Sequence, residues 1–248
     1  MVMTRERAHE ILHKYMEGER YLEHSYAVEA IMRGVAAKLA PDEVEYWGIV
    51  GLLHDLDEEH CPWKEHPETH GPTSVEILKK EGVEDPVLFD AICAHNPESG
   101  VKAKTKLQYA ILACDPMSGF LKAIAQIYPD KKIASVKHKS VQKRFREHRF
   151  AAGANRDYME AIEFTGMDFD EFIDIALEAM REIADQDRAV EGGFCFPYQS
   201  SFFISWIADS EESVFCFGQK GGAAALADYE STVASAPPGF IDLILSHL

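Results

Sequence analysis

A histidine and an aspartate stand side by side at the end of an apolar run, and three further carboxylates follow almost at once. The pair is His54 and Asp55, and the carboxylates belong to Asp57, Glu58 and Glu59. Like charges this close repel one another, so the cluster is costly unless a positive group compensates for it. A bound divalent cation would supply that positive charge. Taken alone, however, such a pair is more often a chance pair of surface neighbours.

Two more ligand-type residues lie on apolar faces of predicted helices. His24 belongs to the apolar stripe of a helix predicted over residues 19–39, and Asp115 lies in the middle of one predicted over residues 104–127. Taken singly, an inward histidine is more often a hydrogen-bonded core residue, and a buried aspartate is often a cap or part of an ion pair. Together with the histidine–aspartate pair, two imidazoles and two carboxylates suit a borderline cation better than mutual pairing. Mn, Fe, Co, Ni or Zn fit this donor set, whereas Mg is less suitable because it disfavours imidazole.

The overall composition limits the classes of partner. The 248 residues are 46% hydrophobic and 27% charged, which is typical of a globular chain with a substantial core. A net charge of -17 argues against nucleic acid and anionic membranes as partners. An anionic substrate would therefore need a local counter-charge, either a metal ion or a basic cluster.

The cysteines and the N-terminus predict the compartment. Five cysteines, an odd number without CxxC spacing, indicate neither a disulfide framework nor a zinc ribbon. The N-terminus lacks the apolar region of a signal peptide, and no apolar stretch reaches the ~20 residues that a membrane-spanning helix needs. We therefore expect a cytoplasmic protein.

Hydrophobic periodicity predicts an all-α fold up to residue 190. The segment 57–70 is polar and interrupted by prolines, which is typical of a loop. No convincing run of alternating residues indicates a strand before residue 190. The predicted helices span residues 4–17, 19–39, 41–55, 73–80, 86–95, 104–127 and 164–184.

The composition changes near residue 191. Residues 191–248 contain one Lys or Arg, Lys220, and are rich in Gly, Ser, Ala and Phe, with short β-like runs at 202–204 and 214–217. We predict a domain over residues 1–190 and an irregular, Gly/Ser-rich C-terminal extension over 191–248. The role of the extension is not predicted, and it is expected to be either a small appended element or poorly ordered.

The order of the ligand-type residues resembles a known family. His24, then His54-Asp55, then Asp115 is similar to the H…HD…D signature of the HD-domain metal-dependent phosphohydrolases. The resemblance covers roughly residues 20–125, and residues 137–180, which include Phe150-Ala151-Ala152-Gly153 and Asn155-Arg156, resemble an uncharacterised hydrolase branch of the same superfamily. The resemblance implies an all-α helical bundle with a metal ion at its centre, bound by the four ligand-type residues.

The same resemblance bears on the number of metal ions. His70 and His95 occupy positions similar to the two further histidines of binuclear family members, in which the aspartate of the HD pair bridges two metals. Two departures from the family pattern leave the predicted number of metal ions at one or two per chain. Ser74 stands where many relatives have glycine, and Asn96 follows His95 where binuclear relatives often have another histidine.

Further residues are assigned to catalysis and to the substrate. The resemblance implies that Glu58, three residues after Asp55, activates or orients the attacking water, although it could equally be a solvated loop carboxylate. A basic stretch over residues 131–149 could balance the charge of a phosphate, although such a stretch is more often a solvated surface. Lys139, Arg144 and Arg156 are the predicted substrate-binding residues in and near it.

The sequence therefore predicts a metal-dependent phosphohydrolase for a small phosphorylated substrate such as a nucleotide. Two alternatives stay open. A binuclear iron site of the same superfamily could activate oxygen, or the domain could be a non-catalytic metal-binding regulatory module. Neither the substrate, nor the metal, nor the oligomeric state follows from the sequence.

Overall fold

The structure is a computed structural model that describes residues 3–189. Within this range the chain forms nine α-helices and no strand, so the prediction of an all-α fold is confirmed. The predicted extension over residues 191–248, with its β-like runs, lies outside the described residues, and the predicted domain division stays a prediction. The helices are α1 (Arg5–Tyr15), α2 (Glu19–Leu39), α3 (Val44–Leu53), α4 (Pro72–Lys80), α5 (Pro86–His95), α6 (Lys106–Gln126), α7 (His138–Phe145), α8 (Arg156–Glu160) and α9 (Phe169–Ala189).

A close approach between α2 and α3 positions two parts of the predicted site. Gly51 of α3 faces the backbone of α2, and a Cβ atom there would lie only 2.9 Å from the carbonyl oxygen of Val28. A larger residue would push the two helices apart. The glycine therefore allows His24 on α2 to approach His54, which directly follows α3.

Local capping fixes the two helices that carry His95 and Asp115. Asp85 caps α5 by accepting hydrogen bonds from the backbone N–H groups of residues 87 and 88. At the start of α6, Thr105 and Gln108 form a reciprocal capping box. These caps use N–H groups that have no partner within their own helix, so each helix begins at a defined residue.

The last predicted helix begins later than the sequence indicated. We predicted a helix over residues 164–184, whereas residues 161–165 form a short 3-10 helix that ends at Gly166, and α9 begins at Phe169. Gly166 has φ +90°, a left-handed conformation that interrupts the helix. The side chain of Asp168 then caps α9 through the N–H groups of residues 170 and 171. The predicted start was wrong because the apolar periodicity continues across this break.

The apolar faces of the helices meet in one buried core. Its largest fully buried side chains include Trp47, Phe120, Phe172, Ile11 and Leu12. None of the helices in the described range combines the length and the apolar composition that a bilayer crossing requires.

Candidate metal centre

Four predicted ligands from three parts of the bundle converge on one point. His24 Nε2 lies 3.2 Å from Asp55 Oδ2 and 3.1 Å from Asp115 Oδ1. His54 Nε2 lies 3.3 Å from Asp55 Oδ1 and 3.9 Å from Asp115 Oδ1. One ligand atom from each of the four residues lies within 4.8 Å of the others. This cluster could hold a divalent metal ion.

A second group of ligand-type residues shares Asp55. His70 Nε2 lies 3.2 Å and His95 Nε2 lies 3.3 Å from Asp55 Oδ1. The two Nε2 atoms lie 2.9 Å apart. One ligand atom from each of Asp55, His70 and His95 also lies within 4.8 Å of the other two. The structure therefore brings together all six predicted ligands, in two groups that have one carboxylate in common.

Backbone carbonyls determine which ring nitrogen is available in two of the histidines. The Nδ1 atom of His54 lies 2.7 Å from the carbonyl oxygen of Gly51, and Nδ1 of His95 makes the same kind of contact with Ile92. A carbonyl oxygen only accepts hydrogen bonds, so each Nδ1 must carry the proton. The Nε2 atom of each neutral ring then presents a lone pair to the carboxylates.

This arrangement leaves buried polar atoms uncompensated. His54 Nε2 and Asp55 Oδ1 are both buried and have no hydrogen-bond partner among the described residues, although they lie 3.3 Å apart. Two facing lone pairs repel, and an unsatisfied buried polar group costs about 1–3 kcal/mol. A cation or a proton between them would remove this cost. The donor set therefore fits a metal ion such as Mn, Fe, Co, Ni or Zn.

Ser118 orients His24 and was not predicted. Its hydroxyl donates to the carbonyl oxygen of Asp115 at 2.9 Å and lies 3.0 Å from Nδ1 of His24. Because the hydroxyl proton is used on the carbonyl, the serine oxygen accepts from Nδ1–H. Nε2 of His24 is thus free for a ligand position as well. Ser118 lies three residues after Asp115 on the same helical face, and this spacing is the one signal in the sequence that could have identified it.

Asp57 supports His70 and was also absent from the predicted site residues. Its fully buried carboxylate accepts hydrogen bonds from the N–H groups of Gly71 and Ser74 at 2.9 and 3.2 Å. The other oxygen lies 2.9 Å from Nδ1 of His70, within ion-pair distance. Carboxylates in this position fix the orientation of a metal-binding histidine and increase its basicity.

The two departures from the family pattern stabilise the loop that carries His70. The hydroxyl of Ser74 accepts a hydrogen bond from the N–H group of Asp57 at 3.0 Å. The amide of Asn96 donates to the carbonyl oxygens of Pro67 and His70 at 2.7 and 3.0 Å. Neither residue displaces His70 or His95 from Asp55, so neither departure disrupts the second group of ligands.

The electrostatics of the cluster show that it favours positive charge. Burial lowers the pKa of each histidine, but the contacts with Asp55, Asp115 and Asp57 outweigh burial. They raise the pKa of His24 to about 9, that of His54 to about 10 and that of His70 to about 11. Burial raises the pKa of Asp55 and Asp115, but the neighbouring histidines lower it to a net value well below normal. Without a metal ion, protons on the imidazoles balance the carboxylates.

Glu58 lies beside this cluster and is not a solvated loop side chain. Its side chain is 17% exposed, and Oε2 lies 4.0 Å from Nδ1 of His70. Burial and the negative charge of Asp55 raise the pKa of Glu58 to about 7. A carboxyl group with this pKa can exchange a proton near neutral pH, as a general base requires.

The three predicted substrate-binding cations lie away from the ligands. Lys139 is exposed on α7, and Arg144 pairs with Glu147 and lies 5.2 Å from the ring centre of Phe150. Arg156 is buried and donates to backbone carbonyls. Within the described range, none of the three lines the cavity beside the metal ligands. Their contact with substrate stays a prediction that the geometry does not support.

Residues 21–136 match the family model of the HD domain. This segment of the chain is an HD domain, so the resemblance inferred from the sequence for roughly residues 20–125 is confirmed. Metal-dependent phosphohydrolases are typical of this family. The matched region contains every predicted metal ligand and Glu58, but it ends before Lys139, Arg144 and Arg156. No curated protein and no solved structure matches the chain.

Metal binding should release protons, because the raised pKa values keep His24, His54 and His70 protonated at pH 7.5 and a metal ion needs neutral imidazoles. We expect more than one proton released per chain. The apparent affinity for Mn²⁺ should rise by roughly tenfold per pH unit for each proton displaced. Titration calorimetry in buffers of different ionisation enthalpy measures both quantities. Binding without proton release and without pH dependence would contradict the geometry.

The same pKa values predict how the stability of the metal-free protein depends on pH. A histidine with a raised pKa stabilises the folded state fully below its normal pKa of 6.5 and loses this contribution as the pH rises through the folded-state pKa. The melting temperature of the metal-free protein should therefore fall between pH 6.5 and about 11. Bound metal replaces the protons, so the metal-loaded protein should show a smaller decrease over this range.

Proposed function

We propose that the protein is a metal-dependent phosphohydrolase acting on a small phosphate ester. The observation that supports this proposal most strongly is the orientation of the histidines. Within the described range, His24, His54 and His95 each use Nδ1 for a hydrogen bond inside the protein and direct Nε2 toward the carboxylate of Asp55. The match of residues 21–136 to the HD domain supports the same reaction class.

The residues of the site have separate roles in this proposal. A divalent ion bound by His24, His54, Asp55 and Asp115 would lower the pKa of a water molecule and polarise a phosphoryl oxygen. Glu58 accepts or positions the proton of the attacking water, and its location at the edge of the cluster suits this role. Asp57 and Ser118 keep the histidines in the correct tautomer and orientation.

A binuclear iron oxygenase is the second candidate. It is favoured by the grouping of His70 and His95 around Asp55, which supplies ligands for a second metal ion. Two irons per chain together with oxygen consumption would support this reading. The non-catalytic alternative would be favoured if His24 and Glu58 pointed away from the site, whereas His24 points into it and Glu58 lies beside it.

The phosphohydrolase proposal predicts that metal-loaded protein releases inorganic phosphate from a phosphate ester. The protein is stripped with a chelator, reloaded with Mn²⁺, Co²⁺, Zn²⁺ or Fe²⁺, and assayed on p-nitrophenyl phosphate and a panel of phosphorylated metabolites. We expect phosphate release with at least one metal and none in the stripped protein. Oxygen uptake is measured in parallel.

Two outcomes would argue against the proposal. Activity that survives complete removal of metal would exclude the metal-dependent mechanism. Iron-dependent oxygen uptake without phosphate release from any ester would favour the oxygenase instead.

A further inference from the structure

An open cavity of about 210 Å³ lies directly beside the candidate metal centre. Its lining includes the candidate ligands His70, His95 and Asp115. It also includes Gly153, Asn155 and Tyr158, which belong to a segment outside the matched HD region. A phosphoryl group at the metal centre would leave the rest of its substrate within reach of this segment. We call residues 150–158 the wall segment.

The wall segment is held in place by one buried arginine. The guanidinium group of Arg156 donates to the carbonyl oxygens of Ala151 and Ala154 at 2.5 Å and to that of Phe150. It also lies 4.6 Å from the ring centre of Phe120 on α6, the helix that carries Asp115. The guanidinium group therefore fixes the wall segment relative to a metal ligand.

Burial of the Arg156 side chain costs free energy, which indicates that its position serves the structure around it. A buried cation normally requires an ionised partner, but no ion pair in the described part of the chain includes Arg156. Its two terminal nitrogens donate to the backbone of the wall segment, whereas its buried Nε has no hydrogen-bond partner among the described residues. The segment also contains Ala151 at φ +46°, a left-handed conformation that is uncommon for residues other than glycine. Strain of this kind often lies near functional sites.

Two polar groups on the wall segment have no partner among the residues that the structure describes. Asn155 is exposed, and its side-chain oxygen caps α8 by accepting from the N–H group of Tyr158 at 3.2 Å, whereas its NH₂ group makes no hydrogen bond with a described residue. The hydroxyl of Tyr158 also makes no hydrogen bond with any described residue. By contrast, Asn96 on the same cavity uses both ends of its amide within the protein. Asn155 and Tyr158 are therefore the donors that a ligand in this cavity can reach.

The charge of the cavity restricts the ligand. Neither lysine nor arginine is among the described residues that line it, and its one carboxylate is that of the metal ligand Asp115. A metal ion could balance one phosphoryl group, but the cavity offers no counter-charge for a second or third phosphate. Its volume lies below the 300–1,000 Å³ typical of sites for drug-sized ligands. A small, singly phosphorylated ligand with neutral hydroxyl groups fits these properties.

We propose that Asn155 and Tyr158 bind the hydroxyl-bearing leaving group of a phosphomonoester, and that Arg156 is a positioning residue that holds them against the metal centre. This inference rests on the proposed phosphohydrolase function and identifies its substrate class. A sugar monophosphate and a nucleoside monophosphate share the required chemistry. A nucleoside triphosphate should be a poor substrate.

The test compares a substrate with hydroxyl groups and one without. Asn155→Ser keeps a helix-capping oxygen but removes the amide, and Tyr158→Phe removes only the hydroxyl. We expect each to lower kcat/KM for a sugar or nucleoside monophosphate roughly tenfold, mainly through KM, and to leave hydrolysis of p-nitrophenyl phosphate unchanged. Arg156→Lys keeps the charge but loses the planar fork, so it should show the same selectivity at unchanged metal content.

Matched controls and a binding assay complete the design. Tyr109→Phe alters a tyrosine of α6 outside the cavity lining and should change neither substrate. Calorimetry with non-hydrolysable phosphonate analogues measures binding without turnover. Separate analogues of a sugar monophosphate and of a nucleoside monophosphate show which of the two the protein binds. The monophosphonate should bind at least tenfold more tightly than the analogue of the triphosphate.

The outcomes separate this inference from the proposed function. If the wild-type protein hydrolyses no ester, the proposed function fails, but calorimetry of the monophosphonate with the wild-type protein and with the Asn155→Ser and Tyr158→Phe variants still decides the role of the wall segment. If esters are hydrolysed and the variants affect both substrates equally, or neither, the assignment of Asn155 and Tyr158 is overturned. Tighter binding of the triphosphate analogue would overturn the substrate class.

Discussion

Replacement of Asp55 by asparagine is expected to abolish both metal binding and phosphate release. Asp55 is the one residue that belongs to both groups of ligands, and its two oxygens face four histidines at 3.2–3.3 Å. An amide keeps the shape of the carboxylate but removes its charge. Since metal activation supplies several kcal/mol to such reactions, activity should fall on the order of 10³-fold or more. Metal analysis and a phosphate assay measure the two effects.

A matched substitution controls for the general effect of removing a carboxylate. Asp174→Asn makes the same chemical change in a side chain that is 69% exposed and pairs with His138, outside both ligand groups. It should keep full metal content and activity. Circular dichroism shows whether the Asp55 variant is folded. A folded Asp55→Asn protein with normal metal content and turnover would refute the assignment of the site.

Replacement of Glu58 by glutamine is expected to separate catalysis from metal binding. Glu58 lies beside the cluster but belongs to neither ligand group, so metal content should not change. Loss of a general base typically lowers kcat by about 10²–10⁴-fold. In the wild-type protein, activity should rise with pH through a pKa at or below about 7, because the charge of a bound metal opposes the effect of Asp55 on the pKa of Glu58. This dependence should disappear in the variant.

Glu65→Gln, on the exposed part of the same loop, is the matched control and should leave kcat unchanged. If Glu58→Gln retained the wild-type rate and pH profile, the general base would have to be another group. If instead the variant lost its metal, Glu58 would be a ligand rather than a proton acceptor. The two measurements, metal content and kcat, therefore distinguish the three possibilities.

The cluster of candidate metal ligands could be predicted because the positions of its residues conflict with ordinary folding preferences. His24 and Asp115 interrupt apolar helical faces, where a polar side chain is costly unless it has a partner. His54 and Asp55 follow a predominantly apolar helix and lie beside further carboxylates. Local periodicity located each helix, and the family signature supplied the long-range relation among the ligands that periodicity cannot supply.

The supporting residues could not be predicted because their roles depend on distances between segments. From the sequence, Asp57 could be either a solvated loop carboxylate or one that supports a metal ligand, and only the structure shows its contact with His70. Arg156 was predicted to bind substrate because a cation near a phosphate site suggests that role, but a sequence does not show whether a guanidinium group faces solvent or backbone carbonyls. Asn155 and Tyr158 were not predicted as site residues, since their relevance depends on a cavity formed by distant parts of the chain.

The most direct test of the account is the position of the bound metal. Crystals of the protein loaded with Zn²⁺ or Mn²⁺ should show an anomalous peak about 2.0–2.2 Å from Nε2 of His24 and His54 and from oxygens of Asp55 and Asp115. A second peak near His70 and His95 would establish a binuclear centre. The absence of any peak among these residues in metal-loaded, folded protein would contradict the account.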